Sequence, residues 1–355
     1  MESFQIAVYP GDGIGVEVAE AALQVLDKVQ AGEDGFKLNY TRFPWGADYC
    51  LEHGKPAPEN YLEILSHFDA VFLGALGDPK RVPDHIALEP LISMRQKFDQ
   101  YACVRPAKLF PGVRTPLADK KCGDIDMVVV RENSEGEYVN NGGRFREGTP
   151  EEFAVQTGIH TRKGIERILR FGFNLATQRT KRLAMITKSN AQRYSFVLWD
   201  EILEEMKDEF PDIEVTKNHI DAAVMNFVRW PERFDVVVGS NLFGDILTDL
   251  SGILIGGLGL APSANINPER KFPSMFEPVH GSAPDIAGQG IANPTAAILS
   301  AALMLDWLGF PDSAEEIRGA VERTLSAGQK TPDLGGNLST QAYTDKVLEA
   351  LEKSA

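Results

Sequence analysis

The sequence predicts an α/β protein built on a mainly parallel sheet, and three observations carry that expectation. Strand-like apolar runs alternate with helical stretches along most of the 355 residues. No internal repeat, low-complexity tract or Gly/Ser linker interrupts them. The run Phe234-Asp-Val-Val-Val-Gly-Ser240 reads as a buried strand that feeds directly into a helix from Asn241. A chain of this length buries a large core and is expected to form two domains.

Taken in order, residues 5–9 form the first strand, and Pro10-Gly-Asp-Gly-Ile-Gly15 turns the chain into a helix over 14–30. That turn reads G-x-G-x-G and lacks the third glycine of a dinucleotide fingerprint; the acidic pair about 20 positions on, Glu33 and Asp34, falls in a polar loop and not at a strand end. We therefore expect a tight turn at the edge of a site, not the usual Rossmann fold. Strands at 37–43 and 70–73 then alternate with helices at 61–67 and 88–98. Residues 106–121, rich in Pro and Gly, read as a long loop. Strands at 125–130, 183–187, 213–219 and 235–240 follow, with helices at 164–177 and 195–208 between them. The Gly-rich 251–259 is a second break, so the two breaks set off a middle lobe from the combined chain ends. Helical patterns at 291–308, 314–327 and 341–353, with a polar loop at 331–336, look like packing helices.

Composition narrows the function classes. A formal net charge of −15 argues against nucleic-acid or anionic-membrane partners, which need clustered Lys and Arg. Cys50, Cys103 and Cys122 are widely spaced without CxxC, which points to a reducing compartment and no thiolate metal site. No basic, apolar leader opens the chain, and the longest apolar run, 294–305, ends at Asp306, too short to span a bilayer. A cytoplasmic location is expected.

Candidate chemistry starts at Asp245 and Asp249, one helical turn apart on one face. They are either solvated acids favoured by the helix dipole or hard oxygen ligands for Mg²⁺ or Mn²⁺. Lys188 and Asp221 each follow a strand in the sense that points into the usual ligand crevice, so three carboxylates and an ammonium are expected to converge. Arg95 lies on a helix, while Arg105 and Arg131 close apolar strands. Convergent guanidiniums suit a di- or tricarboxylate; the alternative is structural ion pairing, as of Arg131 with Glu132 or Asp126. Tyr138 is a proton donor if a cation lies nearby and otherwise a loop aromatic. In Glu277-Pro-Val-His-Gly-Ser-Ala-Pro-Asp285, successive backbone N–H groups can cradle an anion, with Asp285 accepting from a ribose hydroxyl; without such a ligand it is an ordinary surface loop.

These pieces, in this order, resemble the β-decarboxylating dehydrogenases of isocitrate, 3-isopropylmalate, tartrate and D-malate. The resemblance covers essentially the whole chain. Its most specific parts are Ser240-Asn-Leu-Phe-Gly-Asp-Ile-Leu-Thr-Asp249, the 277–285 stretch and Val130-Arg-Glu-Asn-Ser-Glu-Gly-Glu-Tyr138. Phe98-Asp-Gln-Tyr101 and Pro262-Ser-Ala-Asn-Ile-Asn-Pro-Glu-Arg270 look most like the D-malate/tartrate branch, whereas residues 84–95 depart from it.

The resemblance implies a dimer with the two-domain isopropylmalate dehydrogenase-like fold and its parallel or mixed sheets. Residues 1–102 with 256–355 would form a large domain holding most of the cofactor site, and 103–255 a central domain with the metal site and dimer interface. The active site would lie in the cleft between them. By resemblance, Arg95, Arg105 and Arg131 hold the departing carboxylate, with Leu91 and Ile92 lining an apolar pocket beside it. Asp245 and Asp249, with Asp221 from the partner subunit, bind Mg²⁺ or Mn²⁺. Lys188, also from the partner, and Tyr138 are the acid–base pair. Gly74, Ala75, Glu277, His280, Gly281, Ser282, Ala283, Asp285 and Asn293 contact the cofactor, and Asn190 lies near its nicotinamide. The acid at position 285 opposes a 2′-phosphate and so favours NAD⁺. The implied reaction is oxidative decarboxylation of a (2R)-2-hydroxy diacid, D-malate or tartrate, with 3-isopropylmalate as the rival substrate. A rival of another class is a non-catalytic carboxylate or nucleotide sensor.

Overall fold

A computed structural model describes residues 1–32 and 35–352; Glu33, Asp34 and Lys353, placed above in a loop and a terminal helix, lie outside the described residues. The first part of the chain runs β1 (Glu2–Gly11), α1 (Gly15–Gly32), β2 (Phe36–Arg42), α2 (Ala47–His53), α3 (Tyr61–Leu65), β3 (Ala70–Ala75), α4 (Asp84–Ala87) and α5 (Glu89–Lys97). The middle runs β4 (Ala102–Lys108), β5 (Asp126–Glu132), β6 (Gly142–Phe145), β7 (Phe153–Gln156), α6 (Arg162–Thr177), β8 (Arg182–Thr187), α7 (Ser195–Lys207), β9 (Glu214–His219), α8 (Ile220–Arg229), β10 (Val236–Gly239) and α9 (Asn241–Leu254). It closes with β11 (Pro262–Ile266), β12 (Ser274–Pro278), α10 (Thr295–Leu308), α11 (Pro311–Ser326) and α12 (Thr340–Glu352).

One ten-stranded sheet orders these strands β2-β1-β3-β12-β11-β4-β5-β10-β8-β9, and β6 pairs with β7 in a separate hairpin. The sheet is parallel at both ends and antiparallel through its middle, where β12, β11, β4 and β5 meet. Sequence alternation predicts the parallel ends through their helical crossovers. It does not predict β11 and β12, short and partly polar strands that exist because both their edges are paired.

The loop expected at 106–121 begins later, since β4 runs on through Pro106 to Lys108. Pro106 sits opposite Val128 of β5, while β11 pairs only with the Ala102–Val104 part of β4. The proline therefore lies where the ladder is free on one side. The break expected at 251–259 also starts later, because α9 extends to Leu254 before Gly256 and Gly257 take positive φ.

Helix α10 is apolar on nearly every side and is buried among α1, α11, β11 and β12. On the other flank, α2, α3 and α5 cover Tyr9, Val71, Leu73 and Met275. Strand β5 is sandwiched: α6 packs on one face of this part of the sheet, while α9 meets the face that carries Arg131. Among the described residues no helix is long and apolar enough to cross a membrane.

Candidate active site

Strand register places the polar groups. Side chains two apart on a strand share a face, and Glu277 pairs with Ser263, Asn265 with Cys103, Cys103 with Arg131, and Arg105 with Val129. Glu277, Ser263, Asn265, Arg105 and Arg131 therefore stand on one face across the antiparallel middle of the sheet. Helix α9 lays Asp245 onto that face, and α5 brings Arg95 from the side. Glu277, Arg105, Arg131, Asp245 and Arg95 line a cleft of about 400 Å³ together with Tyr138, Leu91, Ile92, Gly74, Ala75, His280 and Gly281.

Asp245 is the hub. Its Oδ1 accepts from Arg105 Nη1 at 3.3 Å and from Arg131 Nη1, and its Oδ2 accepts from the Tyr138 hydroxyl at 2.7 Å. Burial raises its carboxyl while Arg131 and Arg105 lower it; the guanidiniums prevail and hold it below the ordinary aspartate value. Asp249, one turn on, is pushed up by burial and by the charge of Asp245. Burial and the Asp245 carboxylate raise the Tyr138 phenol to about 12, so it keeps its proton at neutral pH. Burial and the neighbouring Arg105 lower Arg131 to about 10.

The arginines are not paired as simple sequence neighbours would suggest. Arg131 turns from Glu132 and Asp126 to Asp245 and to Asn241 Oδ1, which takes its Nε at 3.0 Å and Nη2 at 2.6 Å. Asp126 pairs with Arg179 instead. Arg105 also donates to Thr248 Oγ1 at 2.6 Å and Ser263 Oγ at 3.3 Å. Arg95 donates to Glu277 Oε1 at 2.7 Å, and Asn265 Nδ2 donates to the same oxygen at 2.7 Å. Glu277, expected at the cofactor, is thus tied to Arg95 while still lining the cleft.

Sequence reading missed Asn241, Thr248, Ser263 and Asn265. A helical signal existed for the first two, which lie four before and three after Asp245 on its own face. For Ser263 and Asn265 the only signal was the likeness of the 262–270 stretch to the D-malate/tartrate branch, because strand β11 is defined only by its neighbours. Gly244 was missed as well: a Cβ there would lie 2.6 Å from Arg131 Cβ. Gly244→Ala is expected to displace Arg131, raising KM for a diacid substrate roughly tenfold and destabilising the fold by about 1–3 kcal/mol. Steady-state kinetics and thermal melting check both numbers.

Within one chain the expected convergence of three carboxylates and an ammonium does not occur. Lys188 Nζ pairs with Asp221 Oδ1 at 2.5 Å, and neither residue lines the cleft. The reason is sheet order. Strand β8, which Lys188 directly follows, stands two places beyond β5, roughly 10 Å away at ordinary strand spacing. Asn190, two residues after the half-buried Lys188, is exposed. Among the described residues no three Asp, Glu, His or Cys side chains gather as a metal set. Asp245 and Asp249 alone supply two hard oxygen donors, with Asp249 disfavoured as an anion until a cation offsets Asp245. That donor chemistry fits a divalent ion completed by groups from outside the chain.

Of the other expected cofactor residues, Gly74, Ala75, His280 and Gly281 line the cleft, and Ser282, Ala283 and Asp285 follow in the same loop. Gly13, in the turn after β1, has φ +56°, and a Cβ there would meet the Ser282 carbonyl at 2.0 Å; Ile14 N donates to that carbonyl at 2.8 Å. Asp12 knits the turn to its surroundings by accepting from Ala47 N at 2.7 Å and Gly77 N at 2.9 Å. The turn thus borders the 280–283 loop, as its incomplete glycine pattern suggests. His280 contacts the Gly281 carbonyl through Nδ1, burial lowers its pKa, and its Nε2 is shielded yet unpartnered. Ala283 holds φ 39°, and Asp285 is exposed. Asn293, a buried residue, spends its side chain on Thr295 and Asp333. An orphaned imidazole nitrogen beside close-packed glycine backbone fits a dinucleotide.

The mixed sheet and its basic cleft, with paired acids on the covering helix, define an α/β enzyme that handles small carboxylates. The chain belongs to the isocitrate/isopropylmalate dehydrogenase family, which it matches over residues 5–351. As a member of a dehydrogenase family it is an oxidoreductase acting on a CH–OH group. It is 50% identical over 356 residues to a probable tartrate dehydrogenase/decarboxylase of Agrobacterium vitis, covering 100% of this chain and 99% of that one. It is 49% identical over 359 residues to the D-malate dehydrogenase [decarboxylating] of Escherichia coli K12, with 99% of each chain covered. The crystal structure of isocitrate dehydrogenase from Methylococcus capsulatus superposes with a TM-score of 0.87 at 37% identity, again over 99% of each chain.

Proposed function

We propose that this enzyme catalyses NAD⁺- and divalent-metal-dependent oxidative decarboxylation of a (2R)-2-hydroxy diacid, with D-malate or tartrate as substrate. The observation that carries this reading is the meeting of Arg95, Arg105, Arg131, Tyr138 and Asp245 in one cleft. Relatives named for D-malate and for tartrate, both at about half identity over the full chain, support the substrate class.

In this mechanism Arg95, Arg105 and Arg131 grip the carboxylate that leaves as CO₂. Asp245 and Asp249 would hold Mg²⁺ or Mn²⁺, with Arg105 and Arg131 beside Asp245. Bound there, the ion supplies Lewis acidity at the 2-hydroxyl oxygen. Lys188 would take the 2-hydroxyl proton and Tyr138 would deliver a proton to the carbon that has lost CO₂, while a nicotinamide held beside the 280–283 loop would supply the hydride acceptor. Leu91 and Ile92, which line the same cleft, would border the substrate's third carbon.

A second copy supplies Lys188 and Asp221 to each site. Large apolar side chains left exposed on the middle of the chain support that pairing: Met225 and Val228 on α8, Ile246 and Ile253 on α9, and Phe145 and Phe153 on the β6–β7 hairpin. We divide each subunit into 1–102 with 256–355 and 103–255, a split that follows sheet order, since the five strands from each part are contiguous. Three free cysteines favour a reducing, cytoplasmic setting.

NADH formation with Mn²⁺ and D-malate, tartrate or 3-isopropylmalate tests the reading. D-malate or tartrate is expected to give the highest kcat/KM; a preference for 3-isopropylmalate overturns the substrate, and no NADH from any of them overturns the activity. Asp285→Lys is expected to raise KM for NAD⁺ about tenfold, the scale of reversing one charge near a bound ligand. An unchanged KM would remove Asp285 from the cofactor site.

A further inference from the structure

We propose that Asp200 is a positioning residue that aims Lys188, a role resting on the reading of Lys188 as the base. Lys188 stands at the end of β8, where the ladder to β9 stops, so nothing in the sheet fixes its backbone. A carboxylate on α7 does so instead. Asp200 Oδ1 accepts from Thr187 Oγ1 at 2.7 Å, and Oδ2 accepts from Ser189 Oγ at 2.8 Å. The residues on both sides of Lys188 are therefore held by one group. Thr187 Oγ1 also accepts from Ser189 N at 3.3 Å, which closes a ring around Lys188. The Lys188 carbonyl is occupied as well, accepting from Ala191 N at 3.0 Å and Gln192 N at 2.8 Å.

The clamp is itself rigid. Neighbouring Trp199 is 1% exposed and donates through Nε1 to His160 Nδ1 at 3.1 Å, which anchors α7. Lys217 Nζ, on β9, lies 2.8 Å from Asp200 Oδ2 and neutralises it. Asp200 therefore remains on Thr187 and Ser189 while the Lys188 ammonium is engaged separately by Asp221. A displacement of about 1 Å in a reacting group costs on the order of 100-fold in rate. That is the effect expected when the clamp is removed.

The test compares Asp200→Ala, Asp200→Asn and the double variant Thr187→Val/Ser189→Ala, with Lys188→Ala as control, in D-malate oxidation with Mn²⁺. Asp200→Ala is expected to lower kcat roughly 100-fold while KM for D-malate and NAD⁺ moves less than about threefold. Asp200→Asn, which keeps an acceptor oxygen, should recover about tenfold of that loss. The Thr187/Ser189 double variant should lose activity to a similar degree and add nothing to Asp200→Ala. A kcat within about twofold of the parent in Asp200→Ala overturns the clamp, as does a loss matched by the unfolded fraction in circular dichroism. Full activity in Lys188→Ala refutes the base assignment itself; an inactive Lys188→Ala beside an unaffected Asp200→Ala refutes only the clamp.

Discussion

Asp245→Asn is expected to abolish metal-dependent turnover, with kcat lowered by at least about 100-fold, the scale of losing one charge-stabilising partner in a closed site. Three neighbours explain the size. The carboxylate takes hydrogen bonds from Arg105, Arg131 and Tyr138, and burial opposed by two guanidiniums keeps it ionised. An amide is neutral and offers one acceptor oxygen, so it neither holds a divalent ion nor balances two buried arginines. The fold should survive, because Asn241 still holds Arg131 and Thr248 still holds Arg105. A drop in melting temperature of a few degrees is the expected structural price. NADH formation titrated with Mn²⁺, beside a thermal melt, measures both effects, and near-parental activity would remove the metal assignment.

The second large effect is a gain. Lys188→Ala and Asp245→Asn are each expected to be inactive alone, the lysine variant by about 10³-fold as a lost general base. Mixed, dissociated and reassociated in equal amounts, they should recover about a quarter of parental activity. The arithmetic follows from two-fold symmetry. Half the dimers are hybrids, and each hybrid joins an intact Lys188 to an intact Asp245 in one of its two sites. The motive is that Lys188 and Asp221 bind each other at 2.5 Å outside the cleft that Asp245 lines. No recovery in a mixture proved to contain hybrids would show that each chain completes its own site.

Much of the site was legible from local pattern. A β-branched run ending in Gly239-Ser240 and a helix opening at Asn241 fixed where Asp245 and Asp249 would sit, because strand and helix periods are set by backbone geometry. Arg105 and Arg131 were visible for the same reason, although Arg105, expected to close its strand, lies inside β4, which runs on to Lys108 because β5 pairs with it that far. Their partners were not. Arg131 chose Asp245 and Asn241, more than a hundred residues away, over Asp126 and Glu132 beside it. A strand points adjacent residues to opposite faces, so Glu132 cannot reach the groups that Arg131 meets.

By itself the sequence determined the element order, the tight turn at Pro10–Gly15 without a full dinucleotide fingerprint, the paired acids on α9 and the three arginines. These are matters of spacing along one segment, which local sterics and periodicity govern. Only the tertiary structure decided that β11 and β12 exist, that Ser263 and Asn265 stand in the row with Arg105, and that Lys188 lies outside its own chain's cleft. Those depend on which strand lies beside which, and strand order is set by burying whole faces of the sheet, a sum over distant residues that no single stretch encodes.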